Sequence, residues 1–247
     1  MSIFTQLIDI IYPPKCAICG KFLSRQSLPK EIYVPHFCPA CTNGFCSITS
    51  PLCPVCGMPF ASDFREDHTC EGCLTKRPFF EAARAPYRYE GTIVKAVHQF
   101  KYGAKRFLAD SLGPLLARYA KGWIKEQGAL LTMPVPLHPK RMRERGFNQS
   151  LLLARHVARE LQTDLDFLTL KRLRFTLPQT GLRKKERQHN VRGAFVLQGQ
   201  GSVKRRTILL VDDVATTCAT INECARVLMG EGADKVFCLT LAKAGGL

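Results

Sequence analysis

The chain has 247 residues, of which 46% are apolar, and a formal net charge of +16. These values exclude a broadly disordered protein and fit one α/β domain together with a smaller module. No apolar run approaches the ~20 residues that a membrane-spanning helix needs, and the amino terminus shows no signal-peptide pattern. We therefore expect a cytoplasmic protein without a transmembrane segment.

The positive charge is concentrated in one part of the chain. Residues 139–192 contain 14 Lys and Arg residues but only 5 Asp and Glu residues. Such a zone attracts a polyanion, either nucleic acid or a pyrophosphate group. A solvated basic face without a dedicated ligand is the alternative.

The first predicted element is a short amino-terminal helix. Its apolar residues Ile3, Phe4, Leu7, Ile8 and Ile11 follow helical spacing and end before two prolines. We expect the helix to pack on the protein. The alternative is that it contacts a partner or lies peripherally on a membrane surface.

Eight of the twelve cysteines form four CxxC pairs in the first third of the chain. Two CxxC pairs separated by a loop present four thiolates to one tetrahedral zinc ion. The spacing predicts two structural Zn²⁺ sites, paired in sequence or as an interleaved cross-brace, and a disulfide framework is disfavoured in a cytosolic chain. The predicted ligands are Cys16, Cys19, Cys38 and Cys41, followed by Cys53, Cys56, Cys70 and Cys73.

The rest of the chain reads as an α/β domain, so we place the domain boundary between residues 1–77 and 78–247. Strand and helix patterns alternate after the boundary, which predicts a parallel sheet flanked by helices. Asn148 or Ser150 is expected to cap the helix that follows it. The predicted strands are 85–89, 131–135, 166–170, 193–197, 208–211 and 236–241, and predicted helices include 91–100 and 112–123.

A basic loop follows the strand at 131–135. It carries Lys140, Arg141, Arg143 and Arg145 just before Gly146. Arginine side chains match phosphate oxygens in bidentate geometry, so this loop could hold a pyrophosphate group or a nucleic-acid backbone.

A second basic segment, residues 179–195, is polar and too charged to be buried. We predict that it forms a mobile hood that closes over bound ligand. The cations assigned to that role are Arg183, Lys184, Lys185 and Arg187. Phe147, His189 and Phe195 are predicted stacking platforms for the bases of single-stranded nucleic acid.

The most specific feature is the segment ILLVDDVATTCAT, residues 208–220. An apolar strand ends in Asp212 and Asp213, at the edge where ligands of open α/β sheets bind. The following turn opens a helix whose N-terminal N–H groups can hold an anion. That turn consists of Thr216, Thr217, Cys218, Ala219 and Thr220. An ordinary strand, turn and capped helix is the alternative.

This segment resembles the phosphoribosyl pyrophosphate (PRPP) signature of type I phosphoribosyltransferases. There, two acidic residues hold the ribose and a loop of the TTGxT type holds the 5-phosphate. Cys218 stands where that family has glycine, and its side chain is expected to hinder positive φ and a close approach of phosphate.

Motifs along nearly the whole chain resemble the ComF (ComFC, GntX-like) family. They are the CxxC-rich amino terminus, HQFKYGAKR at 98–106, VPLHPKRMRERGFNQS at 135–150, QTGLRKKERQHNVRGAF at 179–195 and VDDVATTCAT at 211–220. The resemblance implies a double zinc ribbon joined to a type I phosphoribosyltransferase domain. It also implies a role in natural transformation, in which cytoplasmic single-stranded DNA is handled beside a ComFA-like helicase.

Carried onto this chain, the resemblance gives each motif a role. Asp212 and Asp213 would bind ribose and stabilise positive charge on the sugar, and residues 216–220 would bind the 5-phosphate. Arg141 and Arg145, after Val135, would bind the pyrophosphate, and Mg²⁺ would bridge ribose and pyrophosphate oxygens.

Three functions remain open from the sequence. The first is a DNA-uptake factor that binds PRPP and single-stranded DNA. The second is a metabolic phosphoribosyltransferase with an unknown nitrogen acceptor. The third is a non-catalytic regulator that senses PRPP.

Overall fold

The computed structural model describes residues 12–23, 34–60, 66–103, 105–124, 130–176, 184–199 and 203–245. The predicted amino-terminal helix and Arg183 lie outside these ranges, and so do the side chains of Lys184, Lys185 and Arg187. Within the described residues, no helix has the length and apolar character needed to cross a bilayer.

Helices and short strands alternate through the chain. The helices are α1 Pro39–Asn43, α2 Glu71–Thr75, α3 Thr92–Tyr102, α4 Ala109–Trp123, α5 Pro139–Arg145, α6 Gln149–Leu161, α7 Lys184–Val191 and α8 Ala219–Gly230. The strands are β1 Ala82–Arg84, β2 Tyr87–Arg88, β3 Leu130–Pro134, β4 Asp164–Leu165, β5 Leu170–Arg172, β6 Phe195–Leu197, β7 Thr207–Ala215 and β8 Lys235–Lys243.

The main sheet is parallel, with the strand order β1-β8-β7-β3-β4 and β2 also beside β8. Helices lie on both of its faces, which confirms the predicted α/β fold with a parallel sheet flanked by helices. Because β3 and β7 are parallel neighbours, the segments after them emerge at the same edge of the sheet. The basic segment after β3 and the turn after β7 are therefore brought together.

The central strand β7 is buried on both faces. Ile208 and Leu210 pack with α8, whereas Leu209 and Val211 pack with α3, α4 and α6. All four are 0% exposed. Burying an apolar side chain of this size stabilises the fold by about 1.5–3 kcal/mol. This strand therefore gives a rigid base to the two carboxylates that follow.

Two predicted strands differ from the structure. Of the strand predicted at 85–89, only Tyr87–Arg88 forms a strand, β2; β1 lies before the predicted range, and Pro86, which has no N–H to donate to a neighbouring strand, falls between the two. The strand predicted at 166–170 is interrupted because the Asp166 carboxylate accepts the N–H groups of Leu168 and Thr169 at 2.9 and 3.0 Å. This is a turn conformation.

The strand predicted at 193–197 is correct in type but lies in a different sheet. It forms β6, which pairs with β5 as a separate antiparallel ribbon. The ribbon is tied to α8, because the Glu223 carboxylate accepts the Gly193 N–H at 2.7 Å. The predicted hood segment, residues 179–195, is thus anchored to α8, the helix that follows the turn at residues 216–220, which we call the ligand turn.

The basic segment predicted as a loop contains the helix α5. His138 caps it by accepting the Lys140 N–H on its ring nitrogen, and Pro139 fills its first turn. Gly146 ends it in the left-handed conformation, with φ of 76°. The cations of this segment therefore project from a helical turn.

The cysteine-rich part of the chain packs directly on the sheet domain. The Thr92 hydroxyl, at the start of α3, donates to the Cys41 carbonyl at 2.7 Å. The Ala83 N–H of edge strand β1 donates to the Val55 carbonyl at 2.7 Å. A Cβ at Gly57 would lie 2.4 Å from the Ala83 carbonyl oxygen, so glycine is needed at this contact.

Candidate functional site

Asp212 and Asp213, here called the acid pair, lie within β7, since that strand extends to Ala215. The Ser150 hydroxyl donates to Asp212 Oδ1 at 2.7 Å, and the Asp213 N–H donates to the same oxygen at 2.9 Å. Ser150 lies in the first turn of α6, which Asn148 caps as predicted. The helix start thus fixes the orientation of the Asp212 carboxylate.

The pKa of Asp212 is raised to about 6. Burial is the main cause, and the negative charge of Asp213 adds to it. Both effects disfavour the ionised carboxylate. A ligand that donates hydroxyl groups to this carboxylate would replace the water that burial removes.

The structure adds Lys101 to the acid pair, a residue that sequence reasoning did not select. Its Nζ lies 2.9 Å from Asp213 Oδ1, and the two side chains are 19% and 9% exposed. Burial opposes the charged ammonium, but the contact with Asp213 outweighs it and raises the pKa of Lys101 above its usual value. The one available signal was its place in the HQFKYGAKR motif, which does not indicate a partner far away in the chain.

Cys218 adopts the left-handed conformation that was expected to require glycine. Its φ is 60° and its ψ is 9°, at the N-cap of α8. The expectation that its side chain would hinder positive φ is therefore wrong. The side chain is buried, and its Sγ accepts a hydrogen bond from the Lys243 ammonium at 3.1 Å. Left-handed backbone costs a non-glycine residue roughly 1–2 kcal/mol, which this contact helps to offset.

The turn after β7 lines a small depression at the start of α8. Asp212, Thr216, Cys218 and Thr220 lie on its wall. The Thr217 hydroxyl is buried and has no hydrogen-bond partner within the described part of the chain. An unpaired buried hydroxyl next to a helix N-terminus can serve an anionic ligand.

The α5 cations are held by contacts with neighbouring polar groups and aromatic rings. Arg141 donates to the Thr176 carbonyl at 3.2 Å. Arg145 donates to Gln149 Oε1 at 3.1 Å and lies over the Tyr102 ring, 5.1 Å from its centroid. Lys140 and Arg143 are exposed. The basic surface therefore has a fixed inner part and a solvated outer part.

The predicted residue Arg141 forms an arginine cluster with Arg172 and Arg174, which sequence reasoning did not select. No carboxylate lies within 4.0 Å of these side chains in the described ranges, and the Arg172 Nε atom is buried without a hydrogen-bond partner there. Burial is the main cause that lowers the pKa of Arg172, and the charges of Arg141 and Arg174 add to it. This surface favours an anion.

Two of the predicted stacking platforms are unsuitable. Phe195 is 2% exposed, and Phe147 packs on the buried Phe100 ring at 5.7 Å. Exposed rings are found instead at Tyr102 and Phe175, which are 59% and 38% exposed. Both rings contact α5 cations, whereas Phe147 and Phe195 are used in packing; the third predicted platform, His189, is exposed.

The cysteines form two clusters in sequential order, so the interleaved cross-brace is not the arrangement here. The first contains Cys16, Cys19, Cys38 and Cys41, and the second contains Cys53, Cys56, Cys70 and Cys73. The ligand atoms of each cluster lie within 4.8 Å of one another.

The cluster geometry fits zinc. The Sγ atoms of Cys19 and Cys38 are 3.6 Å apart, as are those of Cys56 and Cys70. A tetrahedral ion with Zn–S bonds of about 2.3 Å separates its sulfurs by about 3.8 Å. Burial would raise the pKa of Cys16, but backbone N–H groups outweigh it and lower that pKa to about 7, which favours a thiolate ligand.

The second cluster shares one apolar core with the ligand turn. Cys53, Cys56 and Cys73 pack in the same group of buried residues as Cys218 and Ile221. The link continues along the chain, because the Phe79 N–H donates to the Asn222 side chain of α8 at 2.8 Å. The second cysteine cluster therefore packs in the core that supports the ligand turn.

Comparison with known proteins identifies the same two parts. The double zinc ribbon domain family matches residues 7–74, and the phosphoribosyl transferase domain family matches residues 148–246.

The chain is 32% identical over 208 residues to the DNA utilization protein YhgH of Escherichia coli (strain K12), covering 79% of this chain and 89% of that protein. It is 31% identical over 212 residues to Competence protein F of Haemophilus influenzae, covering 82% and 91%. It is 24% identical over 242 residues to Competence protein ComFC of Bacillus subtilis (strain 168), covering 93% and 95%. The chain therefore belongs to the ComF family of competence proteins.

Proposed function

We propose that this protein binds PRPP with Mg²⁺ at the acid pair and single-stranded DNA on the α5 surface, and that it acts in cytoplasmic DNA uptake beside a ComFA-like helicase. The observation that carries the proposal is the meeting of two features at one sheet edge. They are the acid pair, with the left-handed turn that opens α8, and the basic helix α5.

Each part of PRPP has a suitable counterpart. The acid pair offers carboxylate oxygens to the ribose hydroxyls, and residues 216–220 offer N–H and hydroxyl groups to the 5-phosphate. Arg141 and Arg145 are the candidates for the pyrophosphate. Mg²⁺ would neutralise charge between ribose and pyrophosphate oxygens, with the acid pair as the nearest protein carboxylates.

Calorimetry tests the PRPP site. We expect zinc-loaded protein to bind PRPP in the presence of Mg²⁺ and Asp213→Asn to lose at least tenfold in affinity. Asp234→Asn is the matched control, because Asp234 is exposed on the turn between α8 and β8. Absence of binding to the native protein would refute the proposed ligand.

Single-stranded DNA would lie along α5 and stack on the exposed rings. Tyr102 and Phe175 each stand beside cations, with Lys140 lying 4.7 Å from the Phe175 centroid. Stacking of a base on such a ring is worth about 1–3 kcal/mol. We expect Tyr102→Ala and Phe175→Ala to weaken binding of a fluorescent oligonucleotide about 5- to 150-fold. Tyr12→Ala, at a ring that is 78% exposed, is the control and should bind normally.

The second candidate function is phosphoribosyl transfer. A nitrogen nucleophile would form a bond to the anomeric carbon, while the bond to pyrophosphate breaks and its electron pair leaves with the pyrophosphate. The acid pair would stabilise positive charge on the sugar, and the arginine cluster would stabilise the leaving group. In the described part of the chain no carboxylate lies within 4.0 Å of Arg172, which leaves its guanidinium able to bind the leaving group.

Pyrophosphate release separates the enzyme from a PRPP-sensing regulator. With PRPP, Mg²⁺ and a panel of nitrogen acceptors, transfer predicts pyrophosphate release that Asp213→Asn abolishes. A regulator predicts PRPP binding without release, together with loss of partner binding when Cys53 is replaced.

A further inference from the structure

We propose that Lys101 is the resident counter-cation of the acid pair: its ammonium occupies Asp213 in the free protein, keeps out a free divalent cation, and gives way to the ribose hydroxyls of the ligand. Lys101 itself has no role in the function proposed above, although its neighbour Tyr102 in the same motif is a proposed stacking ring. This inference rests on that function in one respect, namely that PRPP supplies the displacing group.

The first argument is position. Lys101 lies in the last turn of α3, and the helix ends at Gly103. From there its Nζ reaches Asp213 Oδ1 at 2.9 Å, which is a direct charge-assisted hydrogen bond. The ammonium therefore occupies the carboxylate that a ribose hydroxyl would need.

The second argument is charge. Asp212 and Asp213 are adjacent and largely buried, and two such carboxylates attract a divalent cation with oxygen ligands. A monovalent ammonium already on Asp213 halves the charge available to such a cation. Tyr89 and Asp212 are the other titratable groups whose charges act on Lys101, and neither carries a positive charge. Lys101 is thus the cation in direct contact with Asp213, while the charge of Arg172 acts on Asp212 from farther away.

The third argument is that the contact can be released. Lys101 is 19% exposed and its long side chain is flexible, so the ammonium can turn toward an incoming phosphate without moving α3. Asp213 would then accept a hydroxyl group in place of an N–H donor, and the ammonium would gain the anionic ligand as its new partner. Binding therefore exchanges one charge pair for another.

The consequence is ligand selection. A free divalent cation brings two positive charges and would have to expel the ammonium without giving it a new anion. PRPP with Mg²⁺ brings its own anionic groups, so displacement of Lys101 leaves no unpaired charge. The site should therefore accept the metal together with the sugar phosphate and refuse the metal alone.

The test titrates zinc-loaded protein with Mn²⁺ alone and measures Mn²⁺ binding by electron paramagnetic resonance. We expect native protein to bind Mn²⁺ weakly and Lys101→Met to bind it at least tenfold more tightly. Adding Asp213→Asn to Lys101→Met should remove the gain, which assigns the new site to the acid pair. Lys101→Arg should behave like the native protein, because it keeps the charge.

Lys95→Met is the matched control, since Lys95 is exposed on the same helix. It should leave Mn²⁺ binding unchanged. The proposal is overturned if Lys101→Met and Lys101→Gln bind Mn²⁺ no more tightly than native protein. It is equally overturned if neither variant folds, because a displaceable counter-cation cannot be required for folding.

Calorimetry with PRPP and Mg²⁺ separates this inference from the proposed function. If native protein binds no PRPP but Lys101→Met gains Mn²⁺ affinity, the counter-cation role stands and the ligand assignment fails. If PRPP binds and the Mn²⁺ affinities are equal, the ligand assignment stands and the counter-cation role fails.

Discussion

Replacing Cys218 with glycine, the residue typical of this turn in phosphoribosyltransferases, is expected to destabilise the protein. Cys218 has a φ of 60°, and glycine would relieve strain of roughly 1–2 kcal/mol. Glycine also adds about 0.5–1 kcal/mol of backbone entropy to the unfolded chain, which offsets about half of that relief. The two backbone effects together therefore favour glycine by less than about 1 kcal/mol.

The remaining effect is on Lys243, which is 3% exposed and donates to Cys218 Sγ. Without the sulfur, its buried ammonium would lose this hydrogen-bond acceptor. A hydrogen bond to a charged group is worth about 1.5–3 kcal/mol. We therefore expect Cys218→Gly to lower the free energy of unfolding by about 1.5 kcal/mol, although the backbone conformation favours glycine.

Urea denaturation at fixed zinc concentration, under reducing conditions, measures this effect. Gln162→Gly is the matched control, because Gln162 also has a positive φ of 54° but an exposed side chain, so its free energy of unfolding should change by less than about 1 kcal/mol. A double-mutant cycle with Lys243→Met should give a coupling of about 1.5–3 kcal/mol. The reasoning is refuted if Cys218→Gly is more stable than native protein or if the cycle shows no coupling.

Three further predictions concern pH, zinc and salt. The pKa of Asp212 is about 6 in the folded protein, above its unfolded value of about 4. The stability that protonated Asp212 contributes is therefore fully present below pH about 4 and is lost as pH rises through about 6. Asp212→Asn should remove this part of the pH dependence of the free energy of unfolding, measured by urea titrations. Cys56→Ser should weaken PRPP binding at least tenfold in calorimetry, because the second cluster packs under the ligand turn, and Cys19→Ser should weaken it less; equal losses would contradict this. Lys140→Ala and Arg143→Ala should each reduce the slope of log affinity against log salt for single-stranded DNA by about 0.7, and an unchanged slope would show that these cations do not contact phosphate.

Local patterns in the sequence were sufficient for much of the fold. The apolar run at 208–211 identified the central strand, and the CxxC spacing identified both cysteine clusters. The helix α5 was missed although its signals were present, because His138, Pro139 and Gly146 are ordinary start and stop residues that the cations obscured. The ribbon of β5 and β6 was misplaced because a short apolar run does not specify its partner strand.

The site was only partly accessible from sequence for a different reason. Asp212 and Asp213 are adjacent in the chain, so their pairing could be read directly. Lys101 and Lys243 reach the site from distant elements, and a lone lysine in a basic chain gives no sign that it is buried. Such partners emerge only when the fold brings α3 and β8 beside β7.

The contacts between the second cysteine cluster and the sheet also bear on how such a chain can be divided. Phe80 is 2% exposed, and it follows directly on the cluster and belongs to the core that supports the ligand turn. A fragment that began near residue 78 would expose this core along the edge strand β1. The zinc ribbon is therefore not a detachable accessory, and gene fusions or deletions that separate it from the α/β part would remove part of the core that supports the turn at residues 216–220.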